Sequence, residues 1–197
     1  MDINPKLYSS VIDTLLKKMR ERVGRHIVAQ SKVIDIACGT GSQVFYLAKK
    51  CNSITGVDIW EPMINYAEKK RRKLNILNIT FKVADATDLS QFKDKEFDFS
   101  IMSLALHQFP PTDRIRILKE AIRISKKMIL TDYAKPQPRN IYGLGIRIAE
   151  RLAGKEHFAN FNSYLSVEGI SGIAKDIGLK TIHLEVFGNE VFVLGIL

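Results

Sequence analysis

Three carboxylates occupy comparable places in this chain, each in or just after a short run of apolar residues. They are Asp35 in "VIDIA", Asp58 in "ITGVD" and Asp85 in "FKVAD". Gly39 and Gly41 follow Asp35 and lead directly into "SQVFYLAKK", which reads as the start of a helix. A glycine turn between a strand and a helix lets a ligand approach the backbone closely and aims N–H groups at it. Asp58 ends the second strand-like run, where a carboxylate can accept both hydroxyls of a ribose. Asp85, with the backbone N–H of Ala86, can meet the edge of an adenine. Asp35 then discriminates among nucleosides. A pyrophosphate seated on the turn would face it, and like charges at short range are costly. S-adenosylmethionine carries a ribose, an adenine, a sulfonium and an ammonium, but no phosphate. Charge therefore points to that cofactor rather than to NAD.

Positioning three acids in this way calls for an ordered set of strands. The runs 32–37, 53–58, 79–84, 97–103 and 128–133 are short and rich in branched apolar residues, as strands buried on both faces are. Helical segments are expected over 42–50, over 61–73 with Pro62 in the first turn, and over 113–125. The crossover between 85 and 96 is polar, with room for a short helix. This alternation predicts an α/β fold with a doubly wound, mostly parallel, seven-stranded sheet. A helix over 167–177 precedes two further strand-like runs, 180–187 and 191–197. The pair "GN" at 188–189 between them predicts a C-terminal antiparallel hairpin.

The whole of 1–197 reads as one domain with two framing segments. Residues 5–30 carry an apolar stripe of Leu7, Val11, Leu15, Met19 and Val23 and read as a helical lid. Residues 134–165 form an insertion on the substrate side, with a helix near 140–153. Simple packing extensions are an equally open reading of both.

The 197 residues carry 30 Lys and Arg against 21 Asp and Glu, a formal charge of +9 that favours anionic partners without specifying a fold. The densest basic run, 69–73, reads as the solvated last turn of a helix, because no aromatic residues are interleaved for base stacking. Nucleic acid is therefore an open but disfavoured partner, and a homodimer is left open too. No apolar run is long enough to span a bilayer and no secretory leader is apparent. Cys38 and Cys51 offer neither metal-ligand spacing nor a disulfide framework, so a cytoplasmic setting is expected.

The motifs together resemble the class I S-adenosylmethionine-dependent methyltransferases. "VIDIACGTG" (33–41) is similar to their first motif and "ITGVDIWEPMINYA" (54–67) to their second. "VADATDL" (83–89) and "FDFSIMSLALHQF" (97–109) resemble the third and fourth. The resemblance covers about residues 30–133 and leans toward the small-molecule branch that includes quinone-biosynthesis methyltransferases. It implies a Rossmann-like methyltransferase fold, with Asp35, Ala37, Cys38, Gly39, Gly41, Asp58, Ile59, Met63, Asp85, Ala86 and Ser103 around the cofactor. Tyr8 resembles an aromatic that closes over the cofactor in relatives. Ala37 departs from the pattern, standing where a first glycine is usual. It is tolerated at small cost if its backbone is extended. Cys38 is expected to pack as a small hydrophobe.

Transfer from a sulfonium needs mainly a nucleophile held in line in a dry site. A base is needed only where the acceptor must lose a proton. His107, after the fourth strand, could be that base, or a wall or hydrogen-bonding residue. Asp132, Tyr133, His157 and Tyr164 are the other candidates for the acceptor side, whereas His26 and His183 are assigned no role. "SLALHQ" lacks the tetrad used on exocyclic amines of bases, and neither cysteine is placed as a covalent nucleophile. Ser103 stands where catechol-type enzymes carry an aspartate, so no metal is expected and a required Mg²⁺ is disfavoured. The expected function is methyl transfer to a small, apolar or aromatic acceptor. The alternatives are an RNA or protein methyltransferase recruited through its basic surface, and a cofactor-binding module without catalysis.

Overall fold

The structure is a computed structural model that describes residues 16–179, 183–187 and 192–197. Its strands are β1 (Lys32–Ile36), β2 (Ser53–Asp58), β3 (Ile79–Val83), β4 (Phe97–Ser103), β5 (Ser125–Tyr133), β6 (His183–Phe187) and β7 (Phe192–Ile196). They form one seven-stranded sheet in the order β3-β2-β1-β4-β5-β7-β6. β1 pairs parallel with β2, and β2 parallel with β3. β7 runs antiparallel to both β5 and β6, as the hairpin expectation requires. The "GN" pair itself lies outside the described residues. The helices are α1 (Lys17–His26), α2 (Ser42–Leu47), α3 (Glu61–Lys73), α4 (Pro111–Ile124), α5 (Ile141–Leu152), α6 (Lys155–Ser166) and α7 (Gly169–Asp176). Among the described residues no helix is long and apolar enough to cross a membrane.

The chain divides into two compact units. The first takes Met1–Ile101 and Glu120–Met128, the second Met102–Lys119 and Ile129–Leu197. In the first, Val33, Ile34 and Ile36 of β1 are buried with Val44 and Leu47 of α2 and Ile54 and Val57 of β2. Each such side chain removed from water stabilises by about 1.5–3 kcal/mol, which explains the near-continuous apolar run in β1. α3 begins with Glu61 and Pro62 and ends with Lys70 to Lys73, so its charges complement its dipole at both ends. Within the basic run, Arg71 and Arg72 pair with Glu68, and Lys70 lies over the Phe45 ring. Of the expected lid, Met19 and Val23 of α1 are buried and Lys50 Nζ donates to the Gly24 carbonyl. Tyr8, Leu7, Val11 and Leu15 lie outside the described residues.

In the second unit, residues 134–165 supply two helices where the sequence suggested one. Asn140 caps α5 by accepting the N–H groups of Tyr142 and Gly143. The chain turns at Gly154, with φ of 126°, and starts α6 one residue later. Phe161, Tyr164 and Leu165 of α6 are buried, as are Ile170, Ile173 and Ala174 of α7. The polar crossover 85–96 contains turns and no helix. β5 begins three residues before the expected start.

Candidate functional site

The glycine turn is built on tight backbone constraints. The Cys38 N–H donates to the Val57 carbonyl at 2.9 Å, and the Gly41 N–H returns to the Cys38 carbonyl at 2.9 Å. Reversing the chain this sharply puts Ala37, Gly39 and Gly41 at φ of 57°, 53° and 74°. Ala37 is therefore not extended, contrary to the sequence expectation. It occupies the left-handed region, where its Cβ crowds the following carbonyl. A Cβ on Gly41 would meet the Phe81 ring at 2.6 Å, and one on Gly56 would meet that ring at 2.8 Å and Cys38 Sγ at 2.9 Å. Gly56, the register partner of Asp35, and Phe81 thus complete the turn's packing.

Asp58 accepts the Gly39 N–H at 2.8 Å through one carboxylate oxygen and the Trp60 N–H at 2.9 Å through the other. Each oxygen keeps a further acceptor site for a hydroxyl. Asp35 is 2% exposed. Burial, reinforced by the charge of Asp58, pushes its carboxyl up to about 8. Burial likewise drives the Cys38 thiol up, with Asp35 and Asp58 adding to it, which disfavours the thiolate. The Asp85 carboxylate is exposed and accepts from Thr87 N and Oγ1 at 2.8 Å, within its own turn. Ala86 and Met63 are buried, whereas Ile59 is 67% exposed. Two residues beyond Gly41, both side-chain amide atoms of Gln43 are buried and have no hydrogen-bond partner among the described residues.

The second unit gathers a different set. His107 Nδ1 lies 2.6 Å from Asp132 Oδ1, and the His107 N–H donates to Asp132 Oδ2 at 3.0 Å. Its Nε2 lies 3.5 Å from Glu150 Oε2. That same oxygen is 2.5 Å from His157 Nε2, while the Tyr133 hydroxyl donates to Glu150 Oε1 at 2.8 Å. The rings of Tyr133, His157, Phe161 and Tyr164 surround His107 at centroid distances of 4.8, 5.6, 6.0 and 6.3 Å. Burial opposes charging the His107 ring, but Asp132 and Glu150 outweigh it and raise its pKa to about 9. Arg114, 1% exposed, anchors α6 by donating to the Asn160 carbonyl at 2.5 Å and to Ser163 Oγ at 3.4 Å. The Ser103 hydroxyl is buried and makes no hydrogen bond among the described residues.

Residues 33–128 match the family model described as a methyltransferase domain. Over 105 residues the chain is 39% identical to the ubiquinone/menaquinone biosynthesis C-methyltransferase of Rickettsia prowazekii. That match takes in 50% of this chain and 41% of the relative, so the chain spans less than half the length of that protein. An S-adenosylmethionine-dependent methyltransferase structure from Aquifex aeolicus superposes with a TM-score of 0.70 at 19% identity, covering 99% of each chain. A protein of Pyrococcus horikoshii gives 0.71 at 23% identity, covering 93% of this chain and 88% of its own. Residues 33–128, just under half of the chain, are thus similar to a methyltransferase domain, and the sheet has the fold of these methyltransferase structures.

S-adenosylmethionine fits the residues of the glycine turn. The turn is flanked by Asp35 and Asp58, whose acceptors suit a cationic nucleoside. The buried amide of Gln43, without a partner among the described residues, offers a donor and an acceptor to a polar ligand. Asp35, Ala37, Cys38, Gly39, Gly41 and Asp58 come together at the turn as the sequence anticipates, whereas Asp85 is turned toward its own loop. His107, Asp132, Tyr133, His157 and Tyr164, up to 57 positions apart, also come together. Sequence reasoning missed Glu150, Arg114 and Gln43. Glu150 stands in an amphipathic helix seven residues before His157, a spacing that corresponds to no ligand motif. Its only signal is a carboxylate bordering the apolar stripe of "IAERL".

Proposed function

We propose that this chain transfers a methyl group from S-adenosylmethionine to a small, apolar or aromatic acceptor. The observation that carries the reading is Asp35, a carboxyl buried next to Asp58 in a turn with no cation of its own. Such a group is costly to ionise until a positive ligand arrives. When bound, S-adenosylmethionine supplies a methyl group already activated on a sulfonium. Asp35 answers its positive charge, Asp58 accepts from its ribose, and Gly39 and Gly41 allow backbone approach. His107, Asp132, Tyr133, His157 and Tyr164 serve the acceptor, with Asp132 fixing the His107 ring through Nδ1. The aromatic rings of that cluster suit a flat, apolar acceptor. The quinone-biosynthesis C-methyltransferase of Rickettsia prowazekii makes an aromatic carbon acceptor the first to try. Two free cysteines, Cys38 and Cys51, fit a reducing, cytoplasmic setting.

The test is transfer of labelled methyl from S-adenosylmethionine to a panel of quinols, catechols, RNA and protein, alongside thermal shift with S-adenosylhomocysteine. Stabilisation by S-adenosylhomocysteine with label entering a quinol or other small aromatic supports the proposal. Label entering only RNA or protein, or no stabilisation at all, refutes it.

A further inference from the structure

We propose that His107 Nε2, Glu150 Oε2 and His157 Nε2 bind a first-row divalent cation of borderline softness, Zn²⁺ above all. These three atoms lie within 4.8 Å of one another. Bonds of about 2.0–2.1 Å to a tetrahedral Zn²⁺ set its ligand atoms about 3.3–3.4 Å apart. The separation of 3.5 Å between His107 Nε2 and Glu150 Oε2 already meets that spacing. The pair Glu150 Oε2 and His157 Nε2, at 2.5 Å, must open by just under about 1 Å. His157 is the member free to give way, since its side chain is 24% exposed while those of His107 and Glu150 are 2% and 8% exposed.

The surroundings hold the two buried ligands in the orientation a metal requires. Asp132 engages His107 at Nδ1, which leaves Nε2 directed at Glu150. Tyr133 occupies Glu150 Oε1 through its hydroxyl and leaves Oε2 for the site. A carboxylate on the far nitrogen of a ligating histidine is the usual way such a ring is fixed and made more basic. Two imidazoles with one carboxylate suit Zn²⁺ or Co²⁺, whereas Mg²⁺ and Ca²⁺ take oxygen ligands. The site thus departs from the sequence expectation of no metal, and its ligand set does not suit Mg²⁺. Three protein ligands leave a fourth position open, as in catalytic rather than structural zinc sites. All the residues belong to the second unit, so the site does not depend on the methyltransferase reading.

The experiment titrates the chelator-treated full chain with Co²⁺ and follows its visible ligand-field band. One equivalent giving an intense four-coordinate band, bleached by one equivalent of Zn²⁺, is expected. His157→Ala, a half-buried position whose variant should fold and whose circular dichroism checks that it does, should lose the band. Tyr133→Phe should bind about 10-fold more weakly through loss of the hydroxyl that orients Glu150. His183→Ala should bind as the wild type does. The proposal is overturned if the wild type gives no stoichiometric band, if folded His157→Ala keeps it, or if His183→Ala abolishes it.

Discussion

Asp35 makes a quantitative prediction about cofactor binding. With its carboxyl at about 8, it is about nine-tenths protonated at pH 7. A cationic centre brought to about 4 Å attracts the carboxylate by about 4 kcal/mol at an effective dielectric of about 20. That equals about 3 pKa units and brings the group to about 5 in the complex. Binding S-adenosylmethionine at pH 7 should then expel about 0.9 proton, falling to about 0.1 at pH 9. Calorimetry in buffers of different ionisation enthalpy counts the protons. Asp35→Asn should release none from this position. It should also bind about two orders of magnitude more weakly, because the attraction of about 4 kcal/mol less about 1.4 for ionising at pH 7 leaves about 2.6. In the free protein the folded pKa lies above the ordinary 3.8, so the folded chain keeps a proton the unfolded chain has lost. Its stability should fall as pH rises from about 4 to about 8, and Asp35→Asn should lack that slope. A proton count near zero for the wild type at pH 7, or an unchanged count in Asp35→Asn, refutes the reasoning.

Three other perturbations follow from the geometry. Ala37→Gly relieves a left-handed alanine worth about 1–2 kcal/mol and loses about 0.5–1 to the freedom of glycine when unfolded. A net gain of about 0.5–1 kcal/mol should appear in urea denaturation. Glu68→Gln should cost about 0.5–1 kcal/mol at pH 7 in the same assay, discounted for exposure. Hydrogen bonding to Arg71, then to Arg72, holds Glu68 near 2, so this stability is present above about 4.5 and lost as pH falls toward 2. The two proteins should converge there. Arg114→Lys cannot reproduce the planar fork that reaches Asn160 and Ser163 and should cost about 2–3 kcal/mol by thermal unfolding.

Local pattern made much of the fold readable. β2, α3 and β4 begin and end where apolar runs, Pro62 and the basic turn place them, because those signals lie within a few residues of each other. The early start of β5 was not readable. Lys126 and Lys127 look like loop residues, yet Lys126 pairs with Asp98 of β4 at 2.8 Å, a partner 28 positions away. The second helix of the insertion was hidden in the same way. "HFANFNSYL" has mixed polarity, and what holds α6 in place is Arg114, which donates to Asn160 46 positions later.

The sequence by itself determined the strand order signals, the glycine turn and the choice of a cationic nucleoside, since Asp35 adjoins the glycines along the chain. Only the tertiary structure decided that Ala37 must adopt a left-handed backbone, because hydrogen bonds to β2 impose the reversal. Only it joined Glu150 to His107, His157 and Tyr133. Those contacts span different elements, and the charge of a buried carboxylate reaches its partners through space rather than along the chain.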